Sequence, residues 1–154
     1  MKKRPKIGDI LEMTTQRGLA YIQITHVDTA MGFLIRVIQG HFDARPANPE
    51  ALARRPTQFV TFFPVAHALK DGILSAAGTA GVPVSDRAFP VFRVPGEVDR
   101  SGRVLNWLLW DGNTHKNIGQ LRPEQRNLPI EGIWNDTLLR ERIESEYTPA
   151  KDVL

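Results

Sequence analysis

Three strand-length runs close together near the start of the chain set the tightest limit on its fold: IGDILEM over 7–13, GLAYIQITHV over 18–27 and GFLIRVI over 32–38. Thr-Thr-Gln-Arg-Gly and Asp-Thr-Ala-Met-Gly separate them, turn-forming stretches too short to carry a crossover helix, so the runs read as an antiparallel meander. In the second run Ala20, Ile22 and Ile24 share one face and Tyr21, Gln23 and Thr25 the other, the alternation of a half-buried strand. His26 continues the first of these faces and is expected to be hydrogen-bonded at the rim of the sheet.

The polar stretch 39–58 carries three prolines and reads as a loop with one short helix, NPEALARR, which Asn48 caps, Pro49 opens and Pro56 closes. FVTFF over 59–63 follows as a buried strand, and PVAHALKDG over 64–72 as two helical turns that Pro64 starts and Gly72 stops. His67 and Asp71, four apart, share a helix face, and two ligands do not make a metal site. ILSAAG over 73–78 and FPVFRV over 89–94 add strands. The stretch 104–119, with its Asp111-Gly112 turn, gives the strongest hairpin signal. Trp107 and Trp110 fall on opposite faces there, so both faces are expected to be covered, with Asn106 buried and hydrogen-bonded and His115 structural. Pro123 starts a further helical turn. Asn135 or Asp136 caps a last helix near 136–146, with pairs Asp136–Arg140, Arg140–Glu144 and Arg142–Glu146 spaced for an exposed face.

These elements imply an α+β domain, mainly antiparallel β: a bent sheet or partly open SH3-like barrel with three or four short helices. At 154 residues one domain is expected, over 7–147, between a flexible basic tail at 1–6 and a flexible tail at 148–154. The absence of cysteine excludes disulfides, thiol nucleophiles and Cys-ligated metals, and fits a reducing compartment. MKKRPKIGDI lacks the apolar core of a secretion signal, and no run approaches the roughly 18 apolar residues of a membrane span, so a cytoplasmic chain with no membrane contact is expected. The net charge of +3 comes from the front: residues 1–60 hold nine Lys/Arg against five Asp/Glu, and residues 61–154 eleven against twelve.

KIGDILEM…GLAYIQI, then FFPVAHALKDGILSAAGTAGVPV, then FPVFR resembles the immunity protein 26 family of bacterial polymorphic toxin systems. WLLWDG…IGQL…LPIEGIWNDTLLRERIE resembles the tail of a larger branch of that group, so the resemblance spans most of the chain. It implies a small cytoplasmic α+β protein, not an enzyme, that binds a toxin domain and occludes its active site, with no cofactor.

Trp, Tyr and Arg dominate the anchors of protein interfaces, which makes Trp134, Arg140 and the loop around His41, Phe42 and Arg45 the partner-binding candidates. Trp134 also suits a staple beside the helix cap. Two other readings compete. A basic SH3-like module would hold nucleic acid with Lys2, Lys3, Arg4 and Lys6 and stack a base on Tyr21. A hydrolase of unknown substrate would need a nucleophile with a base, and the histidines at 26, 41, 67 and 115 lie in different elements without an H-E-x-x-H, G-x-S-x-G or P-loop pattern. No residue is assigned a catalytic or metal-binding role.

Overall fold

The computed structural model describes residues 4–154. Where the sequence suggests one domain over 7–147, the chain packs as two compact units. The first is built from the chain up to Ala88 with Gly132–Tyr147, the second from Phe89–Glu131 with Thr148–Leu154.

In the first unit the expected meander is present, and its third strand runs further than the sequence suggests: β1 Asp9–Thr15, β2 Gly18–Asp28 and β3 Gly32–Phe42. β3 takes in Gln39–Phe42, assigned above to a loop, because Phe42 pairs with Leu19 past a bulge. Gly18 permits this closure: at φ 110° its backbone lies where a side chain is strained, and a Cβ there would stand 2.7 Å from the Phe42 carbonyl oxygen. β4 Thr57–Phe62 and β5 Ser75–Thr79 complete an open antiparallel sheet in the order β4-β3-β2-β1-β5, not a closed barrel.

Three short α-helices belong to this unit: α1 Pro49–Ala53, α2 Val65–Lys70 and α3 Asp136–Glu144. Their caps follow the sequence. Asn48 accepts from the Ala51 N–H at 3.1 Å, and Asn135 from the Leu138 N–H at 2.8 Å. α3 ends where Glu146 takes a left-handed conformation, φ 57°, which returns the Tyr147 N–H to the Arg142 carbonyl at 3.0 Å and turns the Tyr147 ring into the core.

The half-buried reading of β2 is overturned, since every residue from Ala20 to Thr25 is buried. On one face Ile22 and Ile24 meet Val65 and Ala68 of α2 and Leu139 and Ile143 of α3. On the other, Tyr21 packs with Ile10, Ile38, Leu52, Ala53 and Ala80. Gln23 and Arg36 are opposite each other in register on this second face and are fully buried. They satisfy each other: Arg36 Nε donates to Gln23 Oε1 at 2.8 Å, and Gln23 Nε2 donates to the Ala80 carbonyl at 2.9 Å. The rest of the guanidinium donates to the Ala53 and Arg55 carbonyls and to Thr57 Oγ1, whose hydroxyl donates to Asp86 at 3.0 Å. Burial pulls the Arg36 pKa down and Asp86 opposes the shift.

The second unit is a three-stranded antiparallel sheet, β6 Phe92–Pro95, β7 Trp107–Trp110 and β8 His115–Gly119, in the order β6-β7-β8. The hairpin falls where the Asp-Gly signal places it, and Asp111 Oδ1 accepts from the Thr114 and Asn113 N–H groups at 2.8 and 2.9 Å. Those two bonds hold the Asp111 carboxyl below its ordinary range. Trp107 and Trp110, on opposite faces of β7, are both buried, and Trp110 packs against Phe89 and Phe92. Asn106 is half-buried and accepts from the Glu97 N–H at 2.8 Å.

Residues 148–154 are not a loose tail. They enclose a 3-10 turn at Pro149–Lys151, and fully buried Arg93 donates to the Pro149 carbonyl at 2.9 Å, the Leu154 carbonyl at 3.1 Å and the Leu128 carbonyl at 3.2 Å. Arg126 adds a bond to the Asp152 carbonyl at 2.9 Å.

Candidate partner-binding surface

β1 and β2 place Glu12 directly opposite Tyr21 on the face that α1 covers. The Tyr21 ring is fully enclosed, and its hydroxyl donates to Glu12 Oε2 at 2.7 Å. The same carboxylate oxygen accepts from Arg45 Nε at 2.8 Å, so a residue of the loop after β3 is tied to β1. Glu12 is the enclosed partner, its side chain 15% exposed, and Arg45 the open one at 46%. The electrostatics follow. The Arg45 guanidinium and then the Tyr21 hydroxyl hold the Glu12 carboxyl below its usual range, while burial and the Glu12 charge push the Tyr21 phenol up.

Around this triad stands an aromatic and cationic surface. Phe42, half-buried, packs edge-on against Tyr21 with ring centroids 5.5 Å apart. The Arg55 guanidinium lies 5.1 Å over the Phe42 ring, and its Nε donates to the Gln39 carbonyl at 2.8 Å. Gly40 makes room for it, because a Cβ there would fall 2.7 Å from an Arg55 Nη. His41 is half-buried, with Nδ1 enclosed and lacking a hydrogen-bond partner among the described residues. Two arginines are thus held, Arg55 over the partly open Phe42 ring and Arg45 on Glu12, and both are of the residue type that anchors interfaces.

The other sequence candidates lie elsewhere. Trp134 packs between Phe59 and Tyr147, at 5.3 and 5.5 Å, with Arg142 over its ring at 5.6 Å, the arrangement of a staple on α3. Arg140 Nε donates to the Thr14 carbonyl at 3.1 Å and its guanidinium pairs with Asp136 at 3.7 Å. The β1–β2 turn supplies partners for this helix and the residues after it: Glu144 accepts from the Gln16 N–H at 2.7 Å, and Glu146 pairs with Arg17 at 3.0 Å.

Of the nucleic-acid set, Lys2 and Lys3 lie outside the described residues. Arg4 is exposed, and Lys6 is bound to Asp9 at 2.6 Å. Tyr21 cannot stack on a base, because its ring is buried.

The four histidines stay on separate elements. His26 bonds to Thr25 Oγ1 at 2.9 Å and the Arg87 carbonyl at 2.8 Å, and His67 is exposed on α2. His115 stacks on Trp110 at 5.8 Å and lies 3.6 Å from Glu131, a neighbour that sequence spacing does not suggest. No group of three or more His, Asp or Glu residues able to hold a metal occurs among the described residues. No helix among them is long and apolar enough to cross a membrane.

Sequence reasoning found Phe42 and Arg45 but missed Glu12 and Arg55. Glu12 lies 33 positions from Arg45 and meets it only once β1 and β3 share a sheet, whereas Arg55, just past α1, folds back over Phe42 and onto the Gln39 carbonyl. Comparison with protein-family models, with curated proteins and with solved structures found no match.

Proposed function

We propose that this protein is a non-enzymatic binder of a protein partner, acting in the cytoplasm, with a toxin domain as the partner and occlusion of that domain's active site as the effect. The toxin assignment rests on the resemblance of KIGDILEM…GLAYIQI and the later segments to the immunity protein 26 family. The surface assignment rests on one linked set of contacts: Tyr21, which packs against the Phe42 ring that Arg55 covers, holds Glu12, and Glu12 in turn fixes Arg45.

Such an arrangement lowers the cost of binding. A free arginine loses rotamer entropy when it docks, about 0.5–1.5 kcal/mol for a rotamer-rich side chain, and part of that cost is already met in the unbound fold. A guanidinium over an aromatic ring is also suited to desolvation against a partner's carboxylates.

The test is co-purification of the tagged protein with the toxin-like product of an adjacent gene, at physiological salt. The expected result is a stoichiometric complex in which the toxin's activity is lost. Retention of nucleic acid instead, with affinity falling steeply as salt rises, would replace this reading with the nucleic-acid module.

A further inference from the structure

An open groove of ≈ 840 Å³ runs along β5, between α2 and the segment before β1, away from the Phe42 surface's own residues. That volume lies within the about 300–1,000 Å³ usual for ligand sites. Its apolar lining includes Leu11, Leu69, Leu74 and Ala76, and its cationic lining is Arg4, Lys6 and Lys70. Asp9 is the one carboxylate among its lining residues, and Lys6 at 2.6 Å and Thr79 at 3.0 Å already occupy it. Arg4 and Lys70 have no carboxylate within salt-bridge distance among the described residues.

β5 ends the sheet. It pairs with β1 on one side, and among the described residues no strand pairs with it on the other. Its residues, Ser-Ala-Ala-Gly-Thr, are small and, but for Ala77, exposed, with none of the charges or prolines that usually protect an edge. In an antiparallel strand the N–H and C=O groups of alternate residues point away from the paired neighbour, so the outer edge offers a ladder to an extended chain.

We infer that this groove binds an extended acidic peptide segment, which adds to β5 as a further strand with its carboxylates toward Arg4 and Lys70 and its alternate apolar side chains on the aliphatic floor. Charge decides against a basic segment. The lining decides against single-stranded nucleic acid, because no aromatic ring among the groove residues is placed to stack a base. The inference is independent of the toxin-binding proposal, since it concerns different residues and is tested with synthetic peptides.

The probe is a fluorescein-labelled peptide, acetyl-Glu-Val-Glu-Val-Asp-Val-amide. Its controls are a version with lysine at the acidic positions and a version with alternate backbone amides N-methylated. Saturable one-to-one binding is expected, at least tenfold weaker for the lysine and N-methylated versions and for the Arg4→Glu/Lys70→Glu double variant, whose changed residues are exposed. Amide hydrogen exchange should slow at Ser75–Thr79 when the acidic peptide binds. Failure of the acidic peptide to bind at millimolar concentration overturns the inference. So does equal binding of the lysine peptide, unchanged exchange along β5, or displacement of the peptide by oligo-dT or by decanoate at lower concentration than by unlabelled peptide.

Discussion

Arg36 in the first unit and Arg93 in the second are both fully buried, and both bond to backbone carbonyls of segments outside their own strand. Their surroundings differ. Arg36 lies in a sheet with apolar clusters on both faces, between α1 and the layer formed by α2 and α3. Around Arg93 the buried apolar side chains of the unit are Phe92, Trp107 and Trp110, and the Arg93 guanidinium lies 4.8 Å over the Trp107 ring. The same side chain therefore does two jobs. In the first unit it fixes one segment to a sheet that apolar burial already holds. In the second it ties residues 128, 149 and 154 around a small aromatic core, and Arg126 adds bonds to the Asp152 and Leu154 carbonyls that help offset the entropy of ordering them.

The largest effect should come from Trp107→Ala, which removes a buried aromatic at a cost of about 3–5 kcal/mol. By amide exchange β6–β8 should lose protection while β2–β4 keep theirs. Simultaneous loss in both units would break the distinction drawn here, and unchanged melting of both Trp107→Ala and Trp110→Ala would place the hairpin wrongly.

Next come the arginines. Arg93→Met orphans several carbonyls, at about 1–3 kcal/mol for each that water cannot reach, and is expected to free residues 148–154 to rapid exchange. Arg36→Met leaves a comparable local defect, yet the first unit should stay folded, with faster exchange confined to α1 and its flanks. The opposite ranking would show that the second unit does not depend on its arginine.

A smaller effect concerns pH. The Glu12 carboxyl titrates below its ordinary range in the fold, so the folded state favours its charged form. Its stabilisation is complete above the ordinary glutamate value, about 4.3, and is lost as pH falls through the lower folded value. Between those values Glu12→Gln should flatten the fall of melting temperature with acid. An unchanged profile would contradict the role given to the triad. The smallest effect is expected for Glu146→Gly. Relieving a left-handed non-glycine residue gains about 1 kcal/mol, partly offset by losing the exposed pair with Arg17, so the melting temperature should rise by a few degrees at most.

Local rules carried far in this chain. Asn48 with Pro49, Asn135 and Asp111-Gly112 mark their caps and turn correctly, because each acts within three or four residues. What could not be read is non-local. Gln23, Thr25 and Arg36 look like the wet face of a strand. They are buried because carbonyls from Ala53, Arg55 and Ala80 come to meet Arg36 and Gln23, while Thr25 Oγ1 bonds across to the Leu34 carbonyl on β3. Residues 148–154 look like a frayed end because their partner, Arg93, stands more than fifty positions earlier. The candidate surface shows the same limit: Phe42 and Arg45 carry a compositional signal, whereas Glu12, 33 positions from Arg45, carries none until β1 and β3 are placed in one sheet.

If a toxin domain docks as proposed, the binding energy resides on the Phe42 and Arg45 surface of the first unit. Calorimetric titration of the purified toxin-like neighbour into three proteins tests it most directly: the parent, Arg45→Glu, and Arg122→Glu, an exposed arginine of the second unit paired with Glu124. At least a hundredfold loss of affinity, about 2.7 kcal/mol, is expected for Arg45→Glu, with the fold retained at the titration temperature although melting falls because two carboxylates then face each other at Glu12, and parent-like binding is expected for Arg122→Glu. Parent-like affinity for Arg45→Glu, or a loss confined to Arg122→Glu, would contradict it.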